Sequence, residues 1–336
     1  MHTKFENQKR LKKLTIENIN FDSCVILAPM AGITDTVLRQ VVRLFSAKCL
    51  LMSEMISSES LKHNNEKYLL DHEKLEFPLA FQISGHKPEF MAEAAQKLER
   101  ISTFIDINMG CPAPKIIKNF DGARLMTDLK LASKIITTVK NAVKVPVTVK
   151  CRLGWDHDSK NHVEFAKMAE TSGANAIIVH GRTRSQMYAG KSDWHAIGEV
   201  KNAVNIPVIG NGDIISPETA VEYLDISGCD GIAVGRGILG DPGLIGRIEN
   251  YIDFGKLEPS PDIKTRLEIA LIHCKKQVEH RGEDAGVKYM RKFFAHYVKN
   301  IKNAGKYRFD LVTSESLSEV ESIFEKILKD ISFLTN

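Results

Sequence analysis

From about residue 23 to about residue 250 the chain repeats one pattern. A short apolar run rich in β-branched residues is followed by a turn and then by a stretch whose apolar positions recur at helical spacing. The apolar runs fall at 24–28, 49–55, 79–83, 104–108, 145–150, 176–180, 207–210 and 231–234. Helical stretches follow at 35–45, 89–101, 131–143, 163–172, 194–203, 217–226 and 244–251, while the link after the second run is longer and only weakly helical. Runs that are apolar throughout, rather than alternating, belong to parallel strands buried on both faces. Eight such βα units in roughly 230 residues predict an α/β fold of the (β/α)8 TIM-barrel type. A doubly wound sheet is the competing architecture. The clustering of charged and glycine-rich residues just after the strands favours the barrel, whose active face is built from those strand ends.

The pattern stops after about residue 254. Two prolines in Leu257-Glu258-Pro259-Ser260-Pro261 cannot sit inside a helix, so the segment reads as a linker. Beyond it lie three helical stretches, 263–280, 285–303 and 314–334, with no convincing strand. The expected organisation is a basic N-terminal extension over 1–22, a barrel over 23–254 and a small all-helical domain over 255–336.

Composition narrows this picture only a little. With 336 residues, 43% hydrophobic and 26% charged, the chain is neither collagenous nor disordered. No apolar run approaches the roughly 18 residues of a membrane span. Residues 1–13 are basic and polar with no apolar core, unlike a secretory signal. The six cysteines show no CxxC spacing, which gives no sign of a metal site and points to the reducing cytoplasm.

The net charge of +4 is uninformative as an average. Resolved along the chain, residues 264–308 carry 12 Lys/Arg and 4 Asp/Glu, a balance of +8, and residues 309–336 carry 2 and 6, a balance of −4. Solvated helix faces are often charged, but a segregated basic block also suits a phosphate backbone.

Candidate chemistry gathers at the strand ends. The first strand runs into Ala28-Pro29-Met30-Ala31-Gly32-Ile33-Thr34-Asp35, where small residues let backbone approach a flat ligand and Thr34 or Asp35 can cap the next helix. The third carries Gln82, whose amide can donate to and accept from a heterocycle edge. The fourth enters Asp106-Ile107-Asn108-Met109-Gly110-Cys111-Pro112. A lone Cys is commonly a small core residue, but Cys111 lies between Gly and Pro on a loop at the active end. The fifth ends in Lys150-Cys151-Arg152 and the sixth in His180-Gly181-Arg182-Thr183-Arg184, a His among cations that favours an anion. The seventh and eighth end in Asn211-Gly212-Asp213 and Gly235-Arg236-Gly237, glycine turns of the kind that cradle phosphate.

In this order, the segments APMAGITD, DINMGCP, VKCRLGW, HGRTR, GNGD and VGRG resemble the signature set of the tRNA-dihydrouridine synthases, most closely the bacterial B type. The resemblance covers the barrel and continues into the tail. It implies an FMN-dependent, NADPH-driven reduction of the C5–C6 double bond of uridines in tRNA, with hydride from flavin N5 to C6 and a proton from Cys111 to C5. The residues it assigns to FMN are Pro29, Met30, Ala31, Gln82, Lys150, His180, Asn211, Gly212, Asp213, Gly235 and Arg236. Asn108 falls in the uracil pocket, and Arg152, Arg182, Arg184, Lys288, Arg291 and Lys292 are expected to face RNA. In the tail the chain departs from the family's basic–His–x–x–Trp–Tyr pattern, with Phe293 at the usual His and His296 at the usual Trp.

Two other readings compete. An FMN barrel acting on a small molecule, such as a dihydroorotate-dehydrogenase-like or ene-reductase-like enzyme, shares the cofactor logic but leaves the basic tail without a purpose. An RNA-binding barrel without catalysis leaves Cys111, Lys150 and His180 without one. Nothing reads as a dimer seam, so the expectation is a monomer.

Overall fold

A computed structural model describes residues 13–63 and 68–335. A small antiparallel hairpin, β1 (Thr15–Ile16) and β2 (Ile19–Asn20), precedes eight parallel strands: β3 (Val25–Leu27), β4 (Leu51–Ser57), β5 (Leu79–Ser84), β6 (Ile105–Asn108), β7 (Val147–Cys151), β8 (Ala176–His180), β9 (Val208–Asn211) and β10 (Gly231–Val234). From β4 to β10 each strand pairs with the next, and β10 returns to β3. The ring closes where the Leu27 amide donates to the Leu50 carbonyl at 2.8 Å. This is the barrel expected from the apolar runs, and the strand residues are buried almost without exception, as a sheet covered on both faces requires.

Two expectations are corrected. Residues 14–21 do not trail away as an extension. Leu14, Ile16 and Phe21 are buried, and the Phe21 ring meets Phe104, just before β6, edge to face at 6.2 Å. Residues 1–12 of the expected extension lie outside the described residues. In the tail the structure has four helices where three were expected: Ile263–Arg281, Glu283–Tyr297, Ala304–Thr313 and Leu317–Thr335. The stretch 285–303 breaks because Asn300 and Asn303 take left-handed backbone angles (φ 62° and 60°), which asparagine tolerates better than most residues and which a helix cannot propagate through.

The first βα turn is fastened twice. From the barrel side, Arg39, 1% exposed, pairs with the fully buried Glu76 at 2.5 Å and donates to the Thr34 carbonyl at 2.7 Å. From the tail side, Asp35 caps its helix by accepting from the Leu38 amide at 2.9 Å and also accepts from Gln277 at 2.7 Å and Arg281 at 3.1 Å. Burial pushes the Asp35 carboxyl up, but these hydrogen bonds outweigh it and hold the group below the usual carboxylate range. The helical tail is thereby bolted to the turn that opens the active end of the barrel.

The Arg39–Glu76 pair makes the first prediction. Arg39→Met leaves a carboxylate buried without its cation, which costs about 3–5 kcal/mol when one partner of such a pair is removed. Urea unfolding should register that loss, and a change under about 1 kcal/mol would show that Glu76 needs no cation.

Candidate active site

The carboxyl ends of β3 and β5–β10 open into one cavity of about 590 Å³. Pro29, Met30, Ala31, Gln82, Asn108, Cys111, Lys150, Arg152, His180, Asn211, Gly212, Asp213, Gly235 and Arg236 all line it. Register explains the convergence. Asp106 stands opposite Gln82 and Thr148, and Asn108 opposite Lys150, so inward-facing positions of three strands fall into shared layers.

One wall is a chain of hydrogen-bonded amides. The fully buried Asp106 accepts from Thr148 Oγ1 at 2.5 Å and from Gln82 Nε2 at 2.7 Å. Gln82 Oε1 accepts from Asn108 Nδ2 at 2.8 Å, and Asn108 Oδ1 accepts the backbone N–H of Cys111 at 2.9 Å and of Gly110 at 3.2 Å. The loop carrying Cys111 is also held from its other side, because Arg152 Nε donates to the Gly110 carbonyl at 2.8 Å. Cys111 is the one cysteine of the six that is not buried, yet it is enclosed enough that desolvation raises its thiol above the ordinary value, against the opposing pull of Arg152 and Lys150.

The other wall is cationic. Lys150 donates to Asn211 Oδ1 at 3.2 Å, and Asn211 in turn donates to the Ala233 carbonyl at 2.6 Å. Burial, helped by the nearby Arg152, pushes the Lys150 ammonium down, with Asp106 pulling it back. His180 is driven well below its usual value by burial and then by Lys150, Arg152, Arg182 and Arg236 around it, so it stands neutral near pH 7. Positive charge thus gathers at the cavity, with Asp213 (2.7 Å from Arg182, 3.5 Å from Arg236) as its counter-charge.

Glycines shape the floor. Gly212 has φ +126°, and a Cβ there would lie 2.0 Å from Ser192 Oγ, so no other residue fits. At Gly235 a Cβ would meet only Met30 and Ala28 at van der Waals distance and would project into the cavity instead, which is the room a ligand needs beside a backbone turn.

The remaining expected residues stand elsewhere. Arg182 is 2% exposed and spends its guanidinium on the Ala189 and Gly190 carbonyls, Ser192 and Asp213, clamping the loop after β8. Arg184 lies over the Trp155 ring at 4.5 Å, with Arg124 over the same ring at 5.0 Å. On the tail helix Glu283–Tyr297, Lys288 pairs with Asp284, Arg291 donates to the Ser314 carbonyl, and Lys292 sits over the Tyr289 ring at 3.2 Å beside Gly32. None of these five lines the cavity.

Three participants escaped the sequence reading. Tyr188, 51% exposed at the cavity, lies beneath Arg236 at 4.6 Å and Arg152 at 5.6 Å. Glu54 accepts the Gly32 amide and so holds the first turn. Asp106 anchors the amide chain. Its only signal was an acid in the middle of an apolar strand, which burial makes costly unless it is paired.

The sequence model of the dihydrouridine synthase family matches residues 26–332. A protein of Rickettsia bellii named as a probable tRNA-dihydrouridine synthase is 42% identical over 299 residues, 88% of this chain and 91% of that protein. The tRNA-dihydrouridine synthase B of Pseudomonas aeruginosa is 39% identical over 84% of this chain and 86% of its own, and that of Vibrio vulnificus 37% identical over 94% and 99%. Among solved structures, a 2-naphthoyl-CoA reductase complex superposes with a TM-score of 0.57 at 12% identity, over 71% of this chain and 52% of that one, a likeness of fold.

The thiol gives the second prediction. Because burial raises Cys111, its alkylation by iodoacetamide, followed by peptide mass spectrometry, should rise about tenfold per pH unit from neutrality past about pH 8.5, the ordinary thiol value. A rate already on its plateau at neutral pH would mean a thiolate and would contradict a thiol held protonated by burial.

Proposed function

The chain belongs to the dihydrouridine synthase family, a family of oxidoreductases, and on that premise we propose that it reduces uridines of tRNA to 5,6-dihydrouridine with FMN as cofactor and NADPH as reductant. The observation that carries the reading is one cavity lined together by Cys111, by Lys150, Arg152 and Arg236, and by the glycine turns after β9 and β10.

The residues present fit FMN. Gln82 and Lys150 lie where an amide and an ammonium can meet the polar edge of a flat ring, and Pro29, Met30 and Ala31 offer a small-residue backbone beside it. The open cradle at Gly235, with Arg236, Gly212 and Asn211, suits the phosphate. Bound there, FMN supplies hydride chemistry toward C6 of the uracil. Lys150 would offset negative charge on the reduced ring. Neutral His180 serves as a hydrogen-bonding group rather than a further cation.

Cys111 supplies the proton for C5 from Sγ. An acid must hold its proton until it is needed, and burial, prevailing over the pull of Arg152 and Lys150, keeps this thiol protonated. Asn108, which lines the cavity and accepts from the Cys111 amide, is the residue we assign to the uracil edge. The base has to leave its stack to reach this depth, which unpaired tRNA loops allow at least cost.

The basic block of the tail supplies sequence-independent attraction to phosphate. Lys264, Lys299, Lys302, Lys306 and Arg308 are exposed on it, as are Lys288 and Lys292. Residues 255–336 thus act as the RNA-holding part, and the protein works in the cytoplasm as a monomer.

Purified protein should be yellow, bleach with NADPH and recover its colour on addition of tRNA but not of free uracil or orotate. Recovery with orotate instead would favour a small-molecule oxidoreductase. Cys111→Ala should keep its FMN and lose most tRNA turnover, on the order of the 10²–10⁴-fold that a positioned acid contributes. Near wild-type dihydrouridine formation by the flavin-loaded variant would remove Cys111 from the mechanism.

tRNA affinity should fall steeply with salt, in proportion to the phosphates neutralised. A flat salt titration would contradict the role given to the tail.

A further inference from the structure

Asp106 has no place in the chemistry above, although it is a completely buried carboxyl group on β6, two residues before Asn108. Such a group is costly to keep, and an apolar substitute of similar volume is often no less stable. Its partners suggest what the cost secures.

The orientation of every amide along this wall follows from the backbone. One side-chain atom of Asn108 receives N–H groups from both Gly110, at 3.2 Å, and Cys111, at 2.9 Å, so that atom is the oxygen. The amide nitrogen of Asn108 therefore faces Gln82, and the Gln82 atom 2.8 Å away must be an oxygen. That turns the Gln82 nitrogen toward Asp106 Oδ2, 2.7 Å away, which must accept. Thr148 donates to the other carboxylate oxygen at 2.5 Å. The chain has one polarity, and its far end is the only acceptor-only group in it.

We propose that Asp106 is a positioning residue that sets the polarity of the Gln82–Asn108 amide relay and thereby holds the Cys111 loop in place for proton delivery. The proposal rests on the reading of Cys111 as the acid. Burial pushes the Asp106 carboxyl up, while the Thr148 and Gln82 hydrogen bonds and Lys150 oppose the rise, so its acceptor character depends on those neighbours. A carboxylate kept only for packing would hold no direction along the relay and would not matter to Cys111, three residues beyond Asn108.

Reversing the relay tests this. Asn108→Asp sets a carboxylate oxygen against Gln82 Oε1. If Gln82 turns over to relieve that contact, its oxygen meets Asp106 instead, so one link is always repulsive. Adding Asp106→Asn restores all links in the opposite sense: Asn at 106 donates to Gln82, Gln82 donates to Asp at 108, and the second oxygen of that Asp still accepts from Gly110 and Cys111.

The readout is iodoacetamide labelling of Cys111 in the purified protein without tRNA, a signal the five buried cysteines do not contaminate. Asn108→Asp should label on the order of tenfold faster than wild type, the scale of one lost buried hydrogen bond. The double variant should return to within about threefold of wild type. The tRNA-driven reoxidation of NADPH-reduced flavin should be slowed in Asn108→Asp. Its ratio to wild type should rise from about pH 8 to about pH 6, where one proton shared between the two carboxyls repairs the relay.

Wild-type labelling in Asn108→Asp, or a double variant that labels as fast as that single variant, would overturn the proposal. Failure of tRNA to reoxidise the wild-type flavin would instead overturn the functional reading, and the labelling series would still decide the relay.

Discussion

Charge withdrawn from water at the ends of eight converging strands is the constraint on which the site depends. Register places Lys150 at the end of β7, Arg152 and Arg182 follow the ends of β7 and β8, and Arg236 joins them from the last turn. Each buried donor has to be met. Arg152 is met by carbonyls of the loops after β6 and β8, and Arg182 by two carbonyls of the loop after β8 together with Ser192 and Asp213. The guanidiniums thus tie the loops that wall the cavity. Burial, seconded by the field of these cations, keeps His180 neutral.

At Cys111 two effects oppose each other. The cations pull the thiol toward thiolate, and desolvation pushes it the other way. Desolvation prevails, and this ordering separates an acid from a nucleophile. A site with the same residues but a more open Cys111 would carry out different chemistry. The helical tail enters the account through Asp35, which caps the first helix of the barrel and takes Gln277 and Arg281 from the tail with the same carboxylate. Whatever the tail grips is therefore held at a fixed place relative to the first βα turn, on which Met30 and Ala31 lie.

Much of this was legible in the sequence, for a physical reason. Strands buried on both faces write themselves as continuous apolar runs, and glycine turns with cations after them mark the strand ends. Those signals marked the strand ends, and the resemblance to the family, carried over residue by residue, named the fourteen residues that line the cavity. What stayed hidden depended on contacts between distant segments. Asp35 read as a helix cap because its second set of partners lies more than two hundred residues away. Arg182 read as an anion-facing cation, whereas the carbonyls that occupy it come from a loop whose path has no local signature. Asp106 sat inside a recognised motif, but its partners come from the strands on either side, and only register reveals them. The tail's fourth helix was hidden by Asn300 and Asn303, which look like ordinary polar positions until their left-handed backbone is known.

The most direct test of the central claim is mass-spectrometric mapping of unmodified tRNA incubated with this protein, FMN and NADPH. The account predicts particular loop uridines heavier by one hydrogen molecule, in amounts that track NADPH consumed. NADPH consumption with every uridine unchanged in mass would contradict it.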